Sequence, residues 1–294
     1  MKTGAAAIDT PRHRFADFLA LTKPRLNSLV VVTTGVGYLA GRTAAIDVPV
    51  LLHTLVGSAL VAGGAAALNQ VAEGDLDERM ERTRERPLPA RRLQPAESAW
   101  FAALLAVAGL VQLAAWVNPV AATLALVTLV SYVAVYTPLK RRTHWALLVG
   151  AVPGALPVMI GWAAAAPLAA GGWALFAVVF VWQLPHFLAL TWLYRVDFER
   201  AGLPLLAVTE PTGRRLTRHL LAYGLILLPA SLAPYWTGVA GIAYATGAAA
   251  AGLLLLALAW WFARERTTDR ARVLFRATLL YLPAVWLLLL ADLG

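Results

Sequence analysis

Apolar runs of near-constant length recur through the whole chain, at residues 26–43, 49–72, 97–116, 119–137, 145–165, 172–193, 218–235, 238–262 and 273–291. Each approaches the ~20 residues that a helix needs to cross a bilayer, and all are too long for the strands of a barrel. The pattern predicts an all-α integral membrane protein with nine transmembrane helices. Composition agrees: 60% of the 294 residues are hydrophobic and only 14% are charged, against roughly 25% charged in soluble domains. A soluble domain of this length has no core large enough to bury so much apolar surface.

Basic residues orient the chain. Every Lys and Arg except Arg42 falls in alternate connections: before the first run, then around 79–92, 140–142, 195–218 and 264–276. One missed span would scramble that asymmetry. It predicts a multi-pass protein of the inner (plasma) membrane, with the N-terminus cytoplasmic and the C-terminus outside. These loops account for the net charge of +9, so membrane lipid is an expected partner and nucleic acid is not. Cysteine is absent, which excludes disulfides, thiolate metal sites and cysteine nucleophiles.

The first 25 residues lack the apolar stretch of a signal peptide and carry Asp9 and Asp17, so they are expected to stay on the mature protein. They read as a cytoplasmic segment with a short interfacial helix around Pro11–Leu21, followed by one polytopic domain over 26–294.

Two cytoplasmic loops, about 73–96 and 194–217, are long and rich in both acids and bases. They lie about 120 residues apart, which hints at an internal duplication without a residue-level repeat. In the first, Asn69, Glu73 and Asp77 recur every four residues, with Arg82 and Arg86 at the same interval before Pro87. On a helix Asn69, Glu73 and Asp77 would share one face, and Pro87 would stop it. Three oxygen donors suit a hard cation such as Mg2+, and guanidinium forks suit phosphate. A solvated helix with ion pairs such as Glu78–Arg82 and Glu81–Arg86 explains the same residues, and both readings stand at this point. Lys140 and Arg141 are further candidate phosphate partners, or ordinary loop cations.

The second loop follows WQLPHFLALTWLYRVDFERAG, in which Gln183, His186, Tyr194 and Asp197 fall near one helical face and Pro185 is expected to loosen the span. An ionisable His at that depth is a candidate site residue, although a histidine bonded to a neighbouring helix is the plainer reading. Tyr132, Trp162, Trp182 and Trp192 are candidates to stabilise a cation by their π faces. Small-residue runs at Gly63–Ala67 and Gly154–Trp162 predict close helix packing. The remaining histidines, His13, His53, His144 and His219, read as interfacial or loop residues.

The chain resembles the UbiA superfamily of intramembrane prenyltransferases, through Asn69-Gln70, Glu73, Asp77, Met80, Arg82-Thr83 and Arg86-Pro87-Leu88. Tyr136-Thr137 with Lys140-Arg141-Arg142-Thr143 extends the match. Trp182-Gln183, Pro185-His186-Phe187, Tyr194-Arg195, Asp197, Ala201-Gly202 and Pro204 point to its haem-farnesylating branch. Glu73 stands where Asp is common, and Ala146 where many relatives have Asn.

The resemblance implies a bundle whose central cavity opens to the cytoplasmic side. It also implies transfer of a farnesyl group from farnesyl diphosphate to a vinyl group of haem b, with water addition, giving haem O and diphosphate. Mg2+ is the implied cofactor and a haem A synthase an implied partner. Asn69 and Asp77 become the catalytic pair, with Asn69, Glu73, Asp77 and Asp197 on the metal. Arg82, Arg86, Lys140 and Arg141 become diphosphate partners, and His186 a haem contact. The alternatives are another UbiA-type enzyme acting on a quinone precursor or chlorophyllide, and a transporter, which would place its polar residues at mid-membrane on broken helices.

Overall fold

The computed structural model describes residues 11–293. Lys2 and Asp9 of the N-terminal segment, the side chains of Arg12 and His13, and Gly294 lie outside the described residues.

Nine long helices form the bundle among the described residues: α2 (Pro24–Gly41), α3 (Val48–Ala72), α5 (Pro95–Trp116), α6 (Pro119–Leu139), α7 (Ala146–Ala165), α8 (Ala170–Leu193), α11 (Arg214–Trp236), α12 (Ile242–Arg264) and α13 (Thr268–Ala291). Between them lie the short helices α1 (Pro11–Leu21), α4 (Gly74–Arg79), α9 (Arg195–Arg200) and α10 (Leu206–Thr209). Eight of the nine are long and apolar enough to cross a membrane. The ninth, α2, falls short because Pro24, Arg25 and Asn27 occupy its first turn. Helices begin where the chain supplies caps: Asp47 accepts from the Val50 N–H at 3.1 Å, and Asn118 from Ala121 at 2.8 Å.

Packing is close where side chains are small. α2 crosses α7 with Gly37 against the Val158 carbonyl and Gly161 against the Thr34 carbonyl, where a Cβ would collide with backbone. Both glycines belong to the predicted close contacts or face them. α3 lies on α5, α8 packs on α7, α11 and α13, and α2 touches both α3 and α13. The first and last long helices therefore meet. The largest buried cluster, with Val158, Met159, Trp182, Tyr244 and Trp286, joins α7, α8, α12 and α13.

One end of the bundle is a continuous polar layer. α1 is joined to it by Arg14–Glu97, by Arg92 Nε to Asp17 Oδ1 at 3.0 Å, and by the Gln70 amide donating to the Leu21 carbonyl at 2.7 Å. At the opposite end the polar contacts are few, such as Asn118 donating to the Ala163 carbonyl at 2.8 Å.

Candidate active site

The helix carrying Asn69 does not run on to Pro87. α3 ends at Ala72, Glu73 leaves helical geometry at φ −115° and ψ 11°, and the six-residue α4 follows before the chain turns at Met80. The predicted uninterrupted face is corrected accordingly. Turning brings Arg86 back beside Asp77, Nη1 to Oδ2 at 2.8 Å, while the Thr83 hydroxyl donates to the Asp77 carbonyl at 2.9 Å. A straight helix would have left the Asp77 carboxylate, now 2% exposed, far from that cation. The ion pairs Glu78–Arg82 and Glu81–Arg86 do not form; Glu81 meets Arg200 at 3.4 Å instead.

Asn69, Glu73 and Asp77 are nevertheless all buried, and each faces a cation. Lys23 Nζ is 3.3 Å from Asn69 Oδ1, and Lys140 Nζ is 2.6 Å from Glu73 Oε2. Asn69 is oriented by its own amide, which donates to Thr137 Oγ1 at 3.1 Å. The other Glu73 oxygen, Oε1, is sealed from solvent with no hydrogen-bond partner. Burial, and then the neighbouring Arg86, pulls the Lys23 amine down to about 8. Against the pull of burial, Tyr136 and Glu73 hold the Lys140 amine above its ordinary value. Three cations crowded among buried oxygens make a cluster beside which an added anion would be favoured.

Lys23 escaped the sequence reading. It stands at φ 49°, in the two-residue gap between α1 and α2, directly before Pro24. The left-handed turn aims it at Asn69.

One wall comes from α6, which widens into a π-helical turn over Ser131–Tyr136. Tyr132 and Tyr136 stack at 5.4 Å, and Lys140 Nζ lies 5.9 Å from the Tyr136 ring centroid. Such widened turns concentrate at functional sites.

The second long loop docks on the first. α8 stops at Leu193, Tyr194 breaks the helix at φ −107° and ψ 23°, and the six-residue α9 follows. This is the same device as Glu73 and α4. The two loops share a small core of Leu76, Met80, Phe198, Ala201 and Leu203. Asp197 accepts from the Glu81 and Arg82 amides, both at 3.4 Å, and Arg200 lies 3.6 Å away. The Arg82 guanidinium lies 4.9 Å from the Tyr194 ring centroid, and Arg141 forks onto Asp75 at 2.7 and 3.0 Å.

A match to the UbiA prenyltransferase family model runs over residues 30–287. The chain belongs to the UbiA prenyltransferase family.

Among curated UbiA-family relatives, the protoheme IX farnesyltransferase of Solibacter usitatus is 43% identical over 286 residues, covering 94% of this chain and 98% of that one. That of Salinibacter ruber is 42% identical over 277 residues, with the same coverage. Among solved structures, a digeranylgeranylglyceryl phosphate synthase superposes with a TM-score of 0.79 at 17% identity, over 95% of this chain and 98% of the other. A UbiA homologue of Archaeoglobus fulgidus bound to GPP and Mg2+ gives 0.65 at 14%, over 93% and 99%. At such identity the structural likeness establishes the fold: this is an all-α UbiA-type membrane bundle, and the chain is an intramembrane prenyltransferase.

The donor set of this UbiA-family site suits Mg2+. Asn69 Oδ1, the unpartnered Glu73 Oε1 and Asp77 are hard oxygens on adjoining turns. Among the described residues no three carboxylates, His or Cys converge into a full cage. Mg2+ ordinarily takes one or two carboxylates and completes its shell with water and phosphate oxygens. Asp197 turns its oxygens to the 81–82 amides.

His186 sits deeper, away from this cluster. It does not share a face with Gln183, Tyr194 and Asp197 as the spacing suggested. The Gln183 amide donates to the Ala151 carbonyl of α7 at 2.8 Å, His186 contacts Thr278 of α13, and Tyr194 and Asp197 lie beyond the helix end. The three-residue step between Gln183 and His186 turns by about 60°, enough to face different neighbours. α8 continues through Pro185. Of the aromatic candidates, Trp162 bonds the Pro167 carbonyl at the opposite end, and Trp192 packs against Phe262.

Proposed function

We propose that this chain transfers the farnesyl group of farnesyl diphosphate to a vinyl group of haem b, with water addition, releasing diphosphate and yielding haem O. The observation that carries the reading is Glu73. A carboxylate oxygen buried without a partner, beside Lys23, Lys140 and Arg86, marks a place prepared for a cation and an anion together. Full-length likeness to relatives named protoheme IX farnesyltransferase supports haem as the acceptor and farnesyl as the donor group.

Asn69, Glu73 and Asp77 would hold Mg2+, which when bound supplies positive charge against the departing diphosphate. Lys140 and Arg86 now occupy Glu73 and Asp77; on substrate binding they exchange those carboxylates for phosphate oxygens. Lys23 completes the set from the side of Asn69. Fixed charges at that point lower the cost of breaking the allylic C–O bond, because they need no reorganisation. The stacked Tyr132 and Tyr136 present π faces next to the cluster, suited to the allylic carbocation. The electron-rich vinyl carbon attacks it, and water captures the second cation. Arg82 and Arg141 act on phosphate only after leaving Tyr194 and Asp75, and Asp197 serves the metal only through the loop it holds.

His186 is the proposed haem contact. The basic end is assigned to the cytoplasm of the inner membrane, with a central cavity opening there, the N-terminus inside and the C-terminus outside. A single polytopic domain over 26–294 carries the reaction, and a haem A synthase is the proposed recipient of the product.

Mass spectrometry of haem extracted after incubation with Mg2+, farnesyl diphosphate and haem b tests the reading. A hydroxyethylfarnesyl haem is expected, and its loss in Asp77→Ala. Prenylation of an aromatic acid in place of haem would refute it.

A further inference from the structure

His186 is held on every side but one. Its ring lies between Trp182 and Phe275, with centroids 5.3 and 5.0 Å away and planes 19° and 25° from parallel. Nδ1 is 2.9 Å from Thr278 Oγ1. Thr278 is fully buried, and its hydroxyl lies 2.6 Å from the Phe275 carbonyl oxygen, three residues earlier on α13.

A threonine hydroxyl has one proton to give. A carbonyl oxygen only accepts, so that proton belongs to the bond with Phe275. Thr278 therefore offers His186 a lone pair, and Nδ1 must carry the ring proton. A neutral imidazole has a single N–H, which leaves Nε2 with its lone pair in the ring plane. Nε2 makes no hydrogen bond among the described residues, and it is not one of the atoms sealed away from solvent. Thr278 is itself anchored, since the Trp182 indole N–H donates to its backbone carbonyl at 2.8 Å. The same tryptophan thus stacks on the imidazole and fixes the residue that sets its tautomer.

We propose that Thr278 is a positioning residue for the acceptor: it fixes the Nδ1–H tautomer of His186, so that Nε2 is presented as the ligand of the haem iron. The inference rests on the reading that haem is the acceptor. Histidines that bind metals commonly donate their second ring N–H to an oxygen, which orients the ring and raises the basicity of the ligating nitrogen. Here that oxygen is a hydroxyl whose proton is already committed. A histidine that merely filled space between α8 and α13 would need neither a fixed tautomer nor two flanking rings to stop it turning.

The test uses the full-length protein in detergent, titrated with haem b without farnesyl diphosphate, and reads both affinity and the iron–histidine stretch of the ferrous complex by resonance Raman. The wild type is expected to show a histidine-ligated haem, lost in His186→Ala. Thr278→Val should bind haem about tenfold more weakly, the lower end of what an outer partner of a metal ligand contributes. Its iron–histidine stretch should move to lower frequency, because Nδ1–H has lost its acceptor. Thr278→Ser, which keeps the hydroxyl, should match the wild type. Mg2+-dependent binding of farnesyl diphosphate should be equal in all four proteins.

An unshifted stretch and unchanged affinity in Thr278→Val, with ligation lost in His186→Ala, overturns the role of Thr278 alone. A Ser variant shifted as far as the Val variant overturns it too. Wild-type protein that binds farnesyl diphosphate but takes up no haem overturns the acceptor reading itself, and this inference with it.

Discussion

Lys140 Nζ lies 2.6 Å from Glu73 Oε2, while the second oxygen of the same carboxylate is buried with no partner at all. A carboxylate half neutralised by a lysine and half orphaned pays a desolvation cost for the unpaired half. That cost is recovered only when a cation arrives.

Glu73→Gln keeps the shape but leaves the Lys140 ammonium, 18% exposed, facing a neutral amide, so its thermal midpoint should fall. The Mg2+ concentration for half-maximal diphosphate release should rise by about tenfold or more. Thermal unfolding and a Mg2+ titration of activity check the two halves separately. A Gln variant with wild-type Mg2+ dependence would remove Glu73 from the metal.

Arg86→Ala leaves the Asp77 carboxylate, 2% exposed, without its guanidinium. Breaking one side of a buried pair costs about 3–5 kcal/mol, and the lower end applies because Arg86 is itself partly open to solvent. A lowered thermal midpoint is expected, with most of the loss restored in Arg86→Ala/Asp77→Asn. No recovery in the double variant would mean that the pair is not what holds the turn.

Asp197→Ala should loosen the 80–86 turn by freeing the Glu81 and Arg82 amides. Trypsin would then cut after Arg79, Arg82 or Arg84 faster than in the wild type, at unchanged global stability. Equal cleavage rates would show that the loop is fixed by its apolar contacts with Phe198 and Leu203 alone.

Gly161→Ala and Gly74→Ala make a matched pair. A Cβ at Gly161 collides with the Thr34 carbonyl, whereas one at Gly74 meets nothing within 4 Å. Overpacking of this kind costs typically about 1–3 kcal/mol and more against rigid backbone. Detergent-solubilised yield and thermal midpoint should fall for the first and hold for the second.

The transmembrane spans were legible because a run of apolar residues near the length of a bilayer has few other uses. Helix ends were less so: α11 begins at Arg214, four residues before the apolar run, since polar residues continue a helix into the interface. The triad residues were legible by spacing, but the spacing misled about their setting. Asn69, Glu73 and Asp77 keep a four-residue beat across a break at Glu73, and the beat alone does not separate a helix from a helix that stops and turns. Lys23 was missed because its role depends on the end of α3, 46 residues away. The Thr278 contact with His186 was out of reach for the same reason.

The π-helical turn at Ser131–Tyr136 makes the length of α6 a counted quantity. A π turn takes about one residue more than an α turn for the same rotation, so loss of one residue there would let the turn close to an α-helix with Lys140 keeping its direction and shifting little along the axis. The bilayer would hardly register so small a change in depth. Tyr132 and Tyr136, inside the turn, would nonetheless lose their stacking, so the residue number of this span is set by the rings it presents to the site, not by the membrane it crosses.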